Sequence, residues 1–138
     1  EIVDNIIKVN TSTVFYDEVA NKPYHLGVFL LENNIPAVGE YAQVGNNNPD
    51  YKHNNVFRCS LNENGIGDNI TNEPIQLNTP YFQEFECELS ENWKAENVEI
   101  ILILMELDGP ETDQPFQAGY GNCYKNAQIL NASKAVRL

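Results

Sequence analysis

Between Tyr81 and Leu89 the chain alternates, with Tyr81, Phe85, Cys87 and Leu89 on one parity and Glu84, Glu86 and Glu88 on the other. Successive side chains of a strand point to opposite faces, so this segment predicts an antiparallel strand with one wet face. Val98 to Leu107 is different: Val98, Ile100, Leu102 and Leu104 share one parity, and Ile101, Ile103, Met105 and Leu107 share the other. Both faces must then be covered. That predicts a central strand whose outer face lies under a loop or a neighbouring domain, and the isoleucines favour strand over a short buried helix. Tyr24 to Leu31 reads as another strand, opened after Pro23 and closed by Glu32, Asn33 and Asn34 before Pro36. Ile2 to Val9, Val14 to Val19, Val56 to Leu61, Ile75 to Leu77 and Ile129 to Leu138 bring the count to about eight. No helical period is sustained anywhere. The fold class expected is all-β: two packed antiparallel sheets, jelly-roll or immunoglobulin-like, with Phe57, Leu61, Phe85, Leu89, Leu102 and Leu104 in the core.

The connections are long and Asn-rich at Gly45 to Asp50, Asn62 to Asn72 and Asp108 to Asn122, and Asn, Gly and Pro suit the turns that strands need. No linker or repeat divides the 138 residues, so one domain is expected. The chain opens on Glu1 instead of Met and lacks the basic-then-apolar pattern of a signal peptide. An upstream region is therefore expected to have been removed, making 1–138 the C-terminal fragment of a larger protein. No apolar run approaches the roughly 18 residues of a membrane helix, so the fragment itself is not expected to insert into a bilayer. Its formal charge of −12 argues against nucleic acid as a partner, since that affinity rests on Lys and Arg meeting phosphates.

Candidate chemistry is sparse. Cys59, Cys87 and Cys123 permit at most one intramolecular pair, and none stands in a C-x-x-C motif. Cys59 and Cys87 lie on inward parities of two strands, where they could meet as a disulfide or remain buried thiols. Neither G-x-S-x-G nor H-E-x-x-H occurs, so no catalytic residue is assigned. An unrecognised carboxylate pair of glycosidase type remains the enzymatic alternative. Asn62, Asn64 and Asp68 place oxygen ligands around Gly65 and Gly67 in the manner of a calcium loop, although the EF-hand spacing is missing and a polar hairpin turn is the plainer reading. Calcium is accordingly the one cofactor considered. Phe116, Tyr120 and Tyr124 mark the 108–124 loop as the candidate ligand-binding segment, because long loops carrying aromatic rings favour recognition.

The run Tyr51-Lys52-His53-Asn54-Asn55-Val56-Phe57-Arg58, followed by Gly65-Ile66-Gly67, resembles the Y-x-H-(N/D)-x-V-(L/F)-R segment of outer-membrane-protein-28-related lipoproteins of Bacteroides-like bacteria. Trp93, the apolar run Ile100 to Leu104 and the ending from Gln128 to Leu138 are similar to that family's closing pattern. The likeness covers roughly the last ninety residues, and Glu106 to Cys123 is an insertion relative to it. It implies a β-sandwich at the C-terminal end of an envelope lipoprotein, held at the outer membrane or cell surface by an N-terminal lipid anchor, with no catalytic residues. Within the motif Tyr51, His53 and Arg58 are structural candidates. In a regular strand His53 and Arg58 diverge; Arg58 is expected in an internal ion pair or on loop carbonyls, and His53 at a turn. The function expected is a non-catalytic binding or spacer domain whose partner is a neighbouring domain of the same parent chain, a glycan or a peptide.

Overall fold

The computed structural model describes residues 1–17, 19, 22–42, 45, 48, 50–107 and 127–135. Among them the secondary structure is all β, with two single-turn 3-10 segments at Gly39–Tyr41 and Ala95–Asn97. The strands are β1 (Ile2–Val3), β2 (Ile6–Val14), β3 (Tyr24–Glu32), β4 (Ile35–Pro36), β5 (Lys52–His53), β6 (Val56–Ser60), β7 (Asp68–Asn69), β8 (Pro80–Glu88), β9 (Val98–Leu107) and β10 (Ala127–Lys134). One sheet has the order β1-β2-β8; the other runs β10-β9-β3-β6, with β7 also on β3, and β4 and β5 form a small ribbon. Every pairing is antiparallel. No helix among the described residues is long and apolar enough to cross a membrane.

The two sheets meet through one parity of each long strand. Ile7, Val9, Phe85 and Leu89 come from the first sheet and its border, and Leu26, Val28, Leu30 and Ile100 from the second; all are buried in one cluster. Leu61, Leu102 and Leu104 are partly buried against it, as their parity predicts. β8 follows its alternation closely, with Phe85 and Leu89 buried and Glu84, Glu86 and Glu88 exposed. β9 takes the expected central position, between β10 and β3.

Four expectations need correction. Ile2 to Val9 is not one strand, because Asp4 and Asn5 both adopt positive φ (49° and 65°) and form the two-residue turn joining β1 to β2. Asp and Asn tolerate that conformation better than other side-chain-bearing residues, and a pair of them gives the mirror-image turn that hairpins favour. β2 then continues to Val14, so Val14 to Val19 is not a separate strand: Phe15, Tyr16 and Asp17 lie outside the sheet, and Phe15 is buried beside Tyr24, ring centroids 5.2 Å apart. Ile75 to Leu77 is not a strand either; the Gln76 amide donates to the Tyr81 hydroxyl at 2.6 Å instead of to a sheet partner.

Phe57 is the fourth: it is 58% exposed and outside the core. Leu31 faces Phe57 and Leu30 faces Cys59, so two steps along β6 match one step along β3. Arg58 is the extra residue of a β-bulge. A bulge inverts the facing of everything beyond it. Cys59 and Leu61 therefore point inward while Phe57, on the same sequence parity, points out.

Candidate functional site

The outer face of the second sheet is unusually apolar. On the parity opposite the core, the register sets Ile101 beside Phe29, Ile103 beside Gly27, and Leu31 beside Phe57, with Ile129 beside Met105 on β10. Phe29 and Phe57 are 6.3 Å apart between ring centroids, tilted at 57°. Phe57, Ile129 and Ile66 are respectively 58%, 62% and 42% exposed. At one end of the row Lys134 pairs with Glu99 at 2.5 Å, and Lys134 holds the Glu99 carboxyl below its ordinary range. The arrangement is an apolar row with a charged border, the composition of a contact face more than of a surface kept for water.

Phe57 faces outward because Arg58 is held in the bulge. The Arg58 guanidinium contacts Glu32 Oε2 through Nε at 2.8 Å and Nη2 at 2.7 Å, and Nη1 donates to the Tyr41 hydroxyl at 2.9 Å. Its carbon lies 5.3 Å from the Tyr41 ring centre and 5.8 Å from that of Trp93. Burial opposes the charge, but the bonds to Tyr41 and Glu32 outweigh it and raise the Arg58 pKa. Glu32 is itself buried, its other oxygen accepting the Lys94 amide at 2.9 Å. His53 joins the cluster from β5, its Nε2 lying 2.8 Å from the Tyr41 carbonyl, with Tyr51 edge-on to its ring at 5.1 Å. His53 and Arg58 therefore do not diverge. Asn54 and Asn55 break the strand between them, Asn55 at a φ of 56°, and the side chains of His53 and Arg58 both reach Tyr41.

Asn62, Asn64 and Asp68 are also brought together, but around donors. Asp68 accepts from the Glu63 amide, from both Asn64 nitrogens and from Asn62 Nδ2, all between 3.1 and 3.2 Å. Asn62 is buried; its Oδ1 takes the Val28 amide at 2.6 Å and its Nδ2 gives to the Leu26 carbonyl at 2.7 Å. The side chain thus substitutes for a strand in the interval of β3 between its pairings with β7 and β6. The turn it anchors lies directly on Gly27, where an added Cβ would come within 2.7 Å of the Ile66 carbonyl oxygen. Beside it, buried His25 has a lowered pKa, because desolvation outweighs the attraction of Asp68 and a bond to the Pro23 backbone.

A concavity of about 890 Å³ opens between β2 and the β9–β10 side of the second sheet. Asn10, Ser12, Asn131 and Ser133 supply polar groups and Leu102 and Leu104 apolar ones, with Tyr16, 73% exposed, also on its lining. Among the described residues no group of three or more His, Cys, Asp or Glu is placed to hold a metal ion. Phe116, Tyr120 and Tyr124 lie outside the described residues, as does Cys123. The two apolar parities of β9 show in the sequence, but its alignment with Phe29 and Phe57 does not, since the bulge that completes the row depends on Glu32 and Trp93, both remote in sequence.

The fold and this face define an antiparallel β-sandwich that displays an apolar outer sheet. The family model of outer membrane protein Omp28 matches residues 2–114. The chain belongs to that family, and is by that membership an outer-membrane-associated protein. The match takes in the first fifty residues, which carried no distinctive resemblance, and stops short of the closing segment from Gln128 that did. No curated protein and no solved structure matches the chain.

Proposed function

We propose that this chain is a non-catalytic docking domain of a lipid-anchored envelope protein, using the outer face of its second sheet to pack against another folded unit of the same parent chain. The observation that carries the reading is the row Phe57, Leu31, Phe29, Ile101 and Ile103, which continues across three neighbouring strands on the side away from the core. Permanent interfaces are more apolar than transient ones, and a chain with a net charge of −12 has ample charge to wet a face meant for solvent.

The reading is tested by mixing the 138-residue domain with the separately expressed remainder of its parent protein and measuring binding by titration calorimetry. The domain binds, with the negative heat-capacity change of apolar burial, and Phe57→Asp abolishes it. Equal affinity in wild type and Phe57→Asp would overturn the proposal.

A second reading rests on the groove, whose Asn and Ser groups beside Tyr16 suit a glycan or an extended peptide. Selective glycan-array binding lost in Tyr16→Ala favours it; a blank array removes it.

A further inference from the structure

Cys59 and Cys87 approach each other from different sheets. Cys59 sits on β6 opposite Leu30, and Cys87 on β8 opposite Ile7, both on the inward parity, and their sulfurs are 3.3 Å apart. β6 and β8 are edge strands of their sheets, on the side of the sandwich away from the groove between β2 and β10. Closing the gap to the covalent length of about 2.05 Å takes a movement of roughly 1 Å, within reach of side-chain torsions. Outer-membrane association places the domain beyond the reducing cytoplasm, where protein disulfides form and persist.

We propose that Cys59 and Cys87 are oxidised to a disulfide that staples the two sheets along the β6–β8 edge. The oxidant is a disulfide, either of a thiol–disulfide oxidoreductase or of a small thiol. The Cys87 thiolate attacks it, forming a mixed disulfide and releasing one thiol; Cys59 then gives up its proton, attacks the Cys87 sulfur and expels the second thiol. Two electrons pass from the cysteine pair to the oxidant, which ends as two thiols. The Cys59 thiol is pushed up to about 12 by burial, then by its hydrogen bond and charge interaction with Cys87. Free thiolate at Cys59 is therefore scarce at neutral pH, so the exchange starts at Cys87.

The test equilibrates the folded chain in a glutathione buffer rich in the disulfide form, unfolds it in denaturant with an alkylating agent, and maps peptides by mass spectrometry with and without reduction. The proposal predicts a Cys59–Cys87 cross-linked peptide, Cys123 recovered only alkylated or as its glutathione mixed disulfide, and a urea midpoint that falls when the bond is reduced. The variant Cys123→Ser forms the same bond. Alkylation of all three thiols, or a cross-link that includes Cys123, overturns the proposal, and neither result requires a cysteine-to-serine change in the core.

Discussion

The Arg58 guanidinium reaches one oxygen of Glu32 with two nitrogens, at 2.8 and 2.7 Å, from the bulged position between Phe57 and Cys59. Both partners are largely removed from water, with Glu32 3% and Arg58 12% exposed in their side chains. Breaking such a pair from one side leaves an unpaired buried charge, a loss of about 3–5 kcal/mol. Arg58→Met is therefore expected to lower unfolding stability by about 3 kcal/mol in urea, and adding Glu32→Gln to recover part of it, because the stranded carboxylate is gone. A single variant within about 0.5 kcal/mol of wild type would show the pair to be dispensable.

Asn62 makes a second claim on stability. Its side chain serves the Val28 amide and the Leu26 carbonyl, two backbone groups of β3 in the interval between its pairings with β7 and β6. Asn62→Ala is expected to cost about 2–4 kcal/mol in chemical denaturation, since each stranded buried group costs roughly 1–3 kcal/mol. Millimolar calcium is expected to leave the wild-type midpoint unchanged, because the Asp68 oxygens already accept from nitrogen donors. A calcium-dependent rise would return this turn to the class of cation sites.

His25 gives a pH dependence with a defined sign. Its folded pKa lies below the ordinary 6.5, with burial the larger cause, so as pH falls the unfolded chain binds the proton first. Stability from this residue is full above about pH 6.5 and declines below it. Urea midpoints measured from about pH 8 to about pH 5 should show wild type losing ground to His25→Gln as the solution is acidified. Parallel profiles would mean that His25 does not titrate differently on folding.

Much of the sandwich is legible in local pattern. Along β8 the chain alternates from Glu84 to Leu89, and β9 shows two apolar parities because one faces the core and the other forms the outer row. Ile2 to Val9 reads as one strand by its apolar residues, and the Asp4-Asn5 turn that splits it shows only in two residues that tolerate positive φ. The facing of Phe57 is not legible. Its parity matches Cys59 and Leu61, and only a bulge pinned by Glu32, Tyr41 and Trp93 turns it away from them. Asn62 was equally hidden, because a side chain substituting for a strand leaves no period in the sequence. The apolar contact face was thus half visible, in Ile101 and Ile103, and half made by tertiary contacts.

Docking through that face is tested most directly by a photo-cross-linking benzophenone amino acid placed at position 57 of the intact parent protein, with position 82 as control. Phe82 is 74% exposed and belongs to the other sheet, on the far side of the core. Illumination at 57 is predicted to join the sheet to another segment of the same polypeptide, located by peptide mapping, while 82 gives no intramolecular product. Equal yields from both positions, or none from 57, would contradict a docked outer face.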